Sequence, residues 1–216
     1  DEYDGDWTYM INGDNSEGSE IISDTLKSSY SGQDDHYSYV IYCEWSTVDS
    51  NFIDVDIRGY RYRVIYDERN SNMRNNYINT YSYVWSDREI IRTSNDQNNI
   101  YNVVENNIIE HDHWTSDRLW AIRAHNNTII RNNTIQCDYL EFAIHVGNDC
   151  IVDSNTISGD FNGPVFQVEG DSTIIRANIV NNSGGGAGVY VGNETYTWVY
   201  NNDFFHTGGG GFLDAN

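Results

Sequence analysis

The chain has 216 residues, of which 33 are acidic and 12 are basic, so its formal net charge is −21 at pH 7. Such a charge repels nucleic acid and anionic membrane surfaces, and we therefore expect neither as a partner. Hydrophobic residues make up 38% and aromatic residues 14% of the chain, which indicates a folded domain. No apolar run reaches the roughly 18 residues of a membrane-spanning helix, so no membrane span is predicted.

Residues 1–38 differ from the rest of the chain. They are acidic and rich in Ser and Gly, with an amphipathic patch at Trp7, Tyr9 and Ile11. We interpret residues 1–38 as an N-terminal cap over the first turn of a repetitive domain, with a flexible arm as the alternative. The repetitive domain itself is assigned to residues 39–216.

A short motif centred on asparagine recurs through this second part. It consists of an apolar residue, two variable residues, Asn, one variable residue and another apolar residue, as in 48–53 (VDSNFI) and 152–157 (VDSNTI). Successive copies are 22 to 31 residues apart. A fixed period of this length is typical of solenoids. The framing asparagines are Asn51, Asn76, Asn107, Asn133, Asn155, Asn178 and Asn202.

A second apolar segment follows each asparagine at a nearly constant distance. Ile144 and Phe166 lie 11 residues after their asparagines, whereas Ile65 lies 14 and Ile91 lies 15 residues after theirs. Each repeat therefore reads as a short strand, an asparagine turn, a second short strand and a second turn. Stacking such repeats about 4.8 Å apart buries a continuous apolar stripe. We predict an all-β parallel β-helix of about seven to eight rungs, in which the asparagine side chains form an internal hydrogen-bonded ladder.

The recurring asparagine motif resembles the pectate-lyase-like superfamily of right-handed parallel β-helices, in which asparagine ladders recur. The resemblance covers roughly residues 40–216 and implies a right-handed coil. It does not fix the function, because that architecture is shared by lyases, hydrolases, epimerases, phage spikes and structural surface proteins.

Three residues occupy the position directly after the second apolar segment of successive repeats: Arg92, Arg123 and His145. In a coil they should form one outward column, which Gln167 continues. The resemblance to polysaccharide lyases and epimerases implies that Arg92 and Arg123 would hold a uronate carboxylate while His145 acts as the base.

Tryptophans and aspartates near the longer loops are candidates for sugar and calcium binding. Trp85, Trp114 and Trp120 could stack on sugar rings. Three aspartates could bind calcium through carboxylate oxygens, namely Asp87, Asp117 and Asp138. The alternative is structural: Asp87 and Asp117 pair with neighbouring arginines, and the tryptophans cover the core.

Cysteine and histidine give weaker signals. The three cysteines, Cys43, Cys137 and Cys150, form no Cys-x-x-Cys pair and are either small buried hydrophobes or include one intermolecular disulfide. His111 and His113 flank Asp112 like a fragment of a metal site, but the spacing supplies no complete ligand set. Four sequons would permit N-glycosylation in a secretory setting, at Asn126, Asn132, Asn181 and Asn193.

These features favour an extracellular or cell-surface protein that self-associates. The repeats are few, no catalytic set is compelling, and the last repeat, 199–216, shows no capping segment, so its strand edge could pair with another copy. We therefore expect a structural protein that assembles through β-helix edges into a filament, sheath or surface layer. The alternatives are a polysaccharide lyase or C5-epimerase acting on uronate-containing glycans, and a non-catalytic carbohydrate-binding β-helix.

Overall fold

A computed structural model of the chain describes residues 7–13, 19–30, 37–57, 61–82, 88–94, 101–112, 119–192, 196–206 and 213–215. Within these ranges the regular secondary structure consists entirely of strands. No helix there could cross a membrane.

The strands are numbered in chain order. They are β1 (Trp7–Gly13), β2 (Glu20–Ile22), β3 (Thr25–Tyr30), β4 (Tyr37–Glu44), β5 (Thr47–Asp49), β6 (Phe52–Ile57), β7 (Arg61–Arg69), β8 (Asn72–Arg74), β9 (Tyr77–Ser82), β10 (Arg88–Thr93), β11 (Asn102–Glu105), β12 (Ile108–Asp112), β13 (Leu119–Ala124), β14 (Thr128–Arg131), β15 (Thr134–Leu140), β16 (Phe142–Val146), β17 (Ile151–Asp153), β18 (Thr156–Phe161), β19 (Phe166–Val168), β20 (Thr173–Arg176), β21 (Ile179–Asn182), β22 (Val189–Val191), β23 (Thr197–Tyr200), β24 (Asp203–His206) and β25 (Leu213–Ala215).

Every third strand belongs to the same sheet, so the chain coils through three sheets in turn. Sheet A runs from β1 through β4 and β7 to β25, sheet B from β2 to β23, and sheet C from β3 to β24. Sheet A has nine strands and the other two have eight each, so the number of turns differs slightly from the seven to eight expected. All neighbouring strands are parallel, as in the register Ile65, Ile91, Ile122 of sheet A. The predicted all-β parallel β-helix is confirmed.

The asparagine ladder fixes the register of the coil. The backbone N–H and the Nδ2 amide of Asn133 both donate to Oδ1 of Asn155, at 3.0 and 2.9 Å. The same Nδ2 also donates to the carbonyl of Val104 at 2.9 Å. The pattern repeats along the seven asparagines from Asn51 to Asn202. Because each buried amide has partners on both sides, the column carries little desolvation penalty.

The first turn of the coil begins earlier than the asparagine motif. Residues 7–30, which the sequence analysis places in a cap or arm, contribute one strand to each sheet. Asp24 occupies the ladder position, and its backbone N–H donates to Oδ1 of Asn51 at 3.0 Å. A search framed on asparagine misses this turn because its motif, 21–26, reads IISDTL.

Each corner at the ladder uses a left-handed residue just before the asparagine. The φ angles at these positions lie between 54° and 58°. Serine and alanine occupy some of them, as at Ser154 and Ala177, although a left-handed residue other than glycine costs roughly 1 kcal/mol or more. The ladder hydrogen bonds offset that cost. The left-handed residues are Ser50, Asn75, Asn106, Asn132, Ser154, Ala177 and Asn201.

The core is a set of inward apolar columns that runs the length of the coil. Sheet C contributes one column of isoleucines, Ile53, Ile78, Ile109, Ile135 and Ile157, all fully buried. Cys43, Cys137 and Cys150 are also buried, and none is in a disulfide. The cysteines therefore fit the interpretation as small core residues.

Replacing one ladder asparagine should destabilise the whole coil. Asn133→Ala removes the acceptor for Asn107 and the donors to Val104 and Asn155, leaving buried polar groups unpaired. We expect the free energy of unfolding to fall by about 3 kcal/mol or more, measured by urea denaturation. Asn181→Ala, on the exposed face of sheet C, is the control and should change it little. Similar losses in both variants would contradict a ladder contribution.

Candidate functional site

The outer face of sheet A carries two columns of polar and aromatic side chains. In the first, Arg92, Arg123, His145 and Gln167 are in adjacent register, as the sequence predicted. The second column lies two residues before the inward isoleucine of each turn. It consists of Tyr39, Arg63, Glu89, Trp120 and Phe142.

Glu89 joins three arginines of this face. Its carboxylate accepts hydrogen bonds from Arg63 Nε at 2.5 Å, from Arg92 at 2.8 and 3.0 Å, and from Arg123 at 2.8 Å. The Glu89 side chain is 4% exposed. Three guanidinium groups around one carboxylate leave an excess of positive charge on a strongly acidic protein. We call Arg63, Glu89, Arg92 and Arg123 the arginine cluster.

The cluster changes the protonation of the groups around it. Burial alone would raise the pKa of Glu89, but the attraction of Arg63, Arg92 and Arg123 outweighs burial and holds the pKa below its usual value. Burial, reinforced by Arg92 and Arg123, lowers the pKa of His125 to about 4. His125 is therefore neutral at pH 7, and its Nε2 can accept a hydrogen bond from Arg92 at 3.0 Å.

His145 is held by a carboxylate at one end and by aromatic rings above it. Its Nε2 lies 2.9 Å from Glu169, and its ring stacks on Trp120 with the centroids 6.3 Å apart. Burial lowers the pKa of His145, although Glu169 opposes that effect. Trp120 itself is only 5% exposed, stacks on Phe142 and lies 4.9 Å from the Arg123 guanidinium. The Trp120 ring thus forms a floor beneath the arginine rather than an open platform.

Three buried donor atoms on this face lack a hydrogen-bond acceptor in the described part of the protein. They are Nε of Arg92, Nε of Arg123 and Nε1 of Trp120. Most buried polar atoms in folded proteins have partners. The partly exposed side chains of Arg92 and Arg123, rather than these buried atoms, are what an anionic ligand could contact.

Several residues singled out in the sequence fall elsewhere. Trp85, Asp87, Trp114, Asp117, His113 and Asn193 lie outside the described residues. Asp138 is exposed on β15. The described ranges contain no group of three or more side chains that could hold a metal ion, so calcium binding is not supported there.

Three of the four glycosylation candidates are described. Asn132 and Asn181 are exposed. Asn126 is partly buried, and its Oδ1 accepts from the backbone N–H of Asn148 at 2.9 Å. Asn148 in turn accepts from the N–H of Asp171 at 2.7 Å, so a second, shorter side-chain ladder supports this corner.

Four residues of this face were not predicted from the sequence: Arg63, Glu89, His125 and Glu169. A usable signal existed for each of them. Arg63 and Glu89 precede the inward residues Ile65 and Ile91 by two positions, so aligning this offset across the repeats would have revealed the second outward column. His125 and Glu169 directly follow strands of sheet A, three positions after the inward residues Ile122 and Phe166.

Replacing the Glu89 carboxylate should lower the free energy of unfolding by an amount that depends on pH. Glu89→Gln leaves three arginines without their anion, and breaking a buried ion network in this way costs about 3–5 kcal/mol. Since the pKa of Glu89 is lower in the folded than in the unfolded state, its stabilisation is present above the unfolded value and lost as the pH falls through the folded value. The destabilisation, measured by urea unfolding, should therefore be smaller at pH 3 than at pH 7.

Asp54→Asn serves as the control for this measurement. Asp54 forms an exposed ion pair with Lys27 at 3.8 Å, and such pairs contribute little to stability. An equal effect of the two substitutions, or an effect of Glu89→Gln that does not depend on pH, would argue against the arginine cluster as a buried charge network.

Comparison with known proteins identifies a family. The family model described as "Periplasmic copper-binding protein (NosD)" matches residues 8–207. No curated protein and no solved structure matches the chain.

The copper in the family description can be tested against the side chains. Copper favours imidazole, thiolate and thioether ligands. His111 and Cys137 are register partners on β12 and β15, but no third ligand of the His, Cys, Asp or Glu type completes a group with them among the described residues. His111 Nδ1 lies 2.8 Å from the Thr80 hydroxyl, and burial raises the pKa of the Cys137 thiol, which disfavours a thiolate. The described residues do not fit a copper centre.

The family match spans nearly the whole coil. It includes the turn formed by β1–β3, the arginine cluster and all seven ladder asparagines. The NosD family has a right-handed parallel β-helix fold, in agreement with the three parallel sheets. The chain therefore belongs to the NosD family.

Proposed function

We propose that this protein is a non-cytoplasmic β-helix protein of the cell envelope that binds a carboxylated glycan on the outer face of sheet A. The description of its family as periplasmic supports the location. The arginine cluster, with the partly exposed side chains of Arg92 and Arg123, is the observation that carries the binding proposal. Copper binding is not part of the proposal, because the described side chains do not supply a suitable ligand set.

The accessible arginines define how a ligand would be held. Arg92 and Arg123 are 19% and 25% exposed, whereas Arg63 is 7% exposed. The two accessible guanidinium groups lie on adjacent strands, about 4.8 Å apart in the stacking direction. A guanidinium group binds a carboxylate through paired hydrogen bonds, so two in adjacent register suit a polymer with repeated carboxylates. Glu89 keeps both side chains extended and preorganised.

Burial of the histidine favours binding over β-elimination. A catalytic base must come within hydrogen-bond reach of the proton that it removes. His145 is only 7% exposed, its Nε2 lies beside Glu169, and Trp120 stacks on its ring. This burial argues against His145 as a catalytic base. A polysaccharide lyase or C5-epimerase is the alternative, and a measurement of turnover distinguishes it from binding.

Calorimetric titration with oligogalacturonate tests the binding proposal. We expect binding that weakens with added salt, and no binding of neutral maltooligosaccharides. Arg123→Gln should weaken the affinity at least about tenfold, because it removes a charge-assisted hydrogen bond. Arg74→Gln is the matched control on the outer face of sheet B, where Arg74 also pairs with one carboxylate, Asp49, and it should leave the affinity unchanged.

The outcomes separate the candidate functions. Absence of binding to oligogalacturonate and to alginate fragments, or equal effects of Arg123→Gln and Arg74→Gln, would refute the arginine cluster as a glycan site. Growth of the ultraviolet absorbance of a conjugated double bond during incubation would instead establish a lyase. Circular dichroism of each variant checks that the coil is intact.

Assembly into a filament, sheath or surface layer is a second candidate function. Aromatic side chains exposed near β23 and β24 support it, since exposed apolar groups favour association. They are Tyr196, Trp198, Tyr200 and Phe205. Negative-stain electron microscopy of the purified chain should show elongated polymers, and Phe205→Ser should shorten them while Asn181→Ser does not. Discrete particles at every protein concentration would exclude polymeric assembly.

A further inference from the structure

The outer face of sheet B carries a column of alternating charge. Six successive strands present an acid, an arginine, an acid, an arginine, an acid and an arginine at the same register position. Within the chain they pair two by two, with N···O distances of 2.9, 2.6 and 2.8 Å. The six residues are Asp49, Arg74, Glu105, Arg131, Asp153 and Arg176.

An apolar column runs beside the charged one, two residues earlier on each strand. Four partly exposed aliphatic side chains lead to Trp198, which is 52% exposed. The column consists of Val103, Ile129, Ile151, Ile174 and Trp198. No described residue of this chain covers this face, because strands of sheet B pack on their sheet neighbours and inward side chains face the core.

The charge of this face differs from that of the whole protein. The column contains three acids and three arginines, whereas the chain has 33 acidic and 12 basic residues. A partner with one predominant sign of charge would be attracted by half of the charges in this column and repelled by the other half. A partner that carries the same alternation in the opposite direction can match every charge.

We infer that this face of sheet B binds a second copy of the chain in an antiparallel arrangement. The required symmetry is a two-fold axis parallel to the strands and lying between the two faces. This axis reverses the direction of the coil but keeps each column opposite itself, so apolar residues meet apolar residues and charges meet charges. Two-fold dimers of this kind use one self-complementary surface.

The residue types select one register. With the axis between the turns of Arg131 and Asp153, Arg131 faces the partner's Asp153. Glu105 likewise faces the partner's Arg176, and Ile129 faces the partner's Ile151. A shift of one copy by a single turn places like charges opposite each other. Centring the axis between Glu105 and Arg131 matches all six charges but sets Ile151 against the partner's Asn72 and Ile174 against the partner's Thr47. The first register matches four charges and brings the four aliphatic side chains of the apolar column together.

The size of the face predicts a weak dimer. Five turns at about 4.8 Å spacing extend roughly 20 Å along the coil, which is small for a stable protein interface. The net charge of −21 also opposes association, so screening by salt is needed. The arginines are 42% to 49% exposed and can contact acids of both copies.

Charge reversal on separate copies gives the decisive experiment. In a homodimer, Arg131→Glu places two acids opposite each other, and Asp153→Arg places two arginines opposite each other. Mixing the two variants restores opposite charges at both contacts. By sedimentation velocity over a concentration series in moderate salt, we expect the wild type to dimerise and each variant alone to bind at least about tenfold more weakly. The mixture should recover most of the wild-type affinity.

Two controls make the test specific to this interface and register. A mixture of Glu105→Arg and Arg131→Glu, which exchanges charges within one intrachain pair, should not recover. Ile151→Glu should abolish the dimer, while Ile108→Glu, at a 42% exposed site on sheet C, should not. A wild type that stays monomeric at every concentration, a complementary mixture that does not recover, or equal effects of the two isoleucine variants would overturn the inference. Glycan binding on sheet A does not affect these outcomes.

Discussion

The register of every turn in the coil depends on the side-chain amides of the ladder asparagines, which stack at one corner. Each ladder asparagine from Asn51 to Asn178 donates forward to the next asparagine and backward to a carbonyl of the previous turn, as Asn133 does to Asn155 and Val104. A shift of one residue would break both contacts and place apolar side chains outside. The amides therefore fix each turn against its neighbours, and all other positions fall into columns as a consequence.

A fixed register lets side chains far apart in sequence act together. Glu89 bonds to Arg63, 26 residues earlier, and to Arg123, 34 residues later. Desolvating four charges would be unfavourable if each side chain had to find its partners independently. The ladder holds their backbones in place before the side chains pair, so the entropy of assembling the cluster is already lost when the coil forms. Within the described residues the indole N–H of Trp120 has no acceptor, so packing at this position outweighs a hydrogen bond.

The features that repeat in every turn were predictable from the sequence, whereas residues that do not follow the asparagine motif were not predicted. The motif predicted the ladder, and the column of Arg92, Arg123 and His145 was predicted because each residue directly follows the second apolar segment of its repeat. The turn at Asp24 was missed because an aspartate stands at the ladder position, where its backbone N–H donates to Oδ1 of Asn51. Glu89 was missed because the position two residues before the inward isoleucine was not compared across the repeats. Burial of Trp120 depends on packing that the repeat pattern does not specify.

Periodicity also explains how one coil presents two chemically different faces. A column whose residues vary slowly along the coil concentrates one property, and Arg92 followed by Arg123 adds to the effect of burial in lowering the pKa of His125. A column that alternates cancels its own field within about two turns, so its charges act only at contact distance. Sheet A is thus suited to attracting a charged ligand from solution. The alternating charges of sheet B suit a surface that carries the same alternation in the opposite direction. The same face of a second, reversed copy of the chain has that alternation.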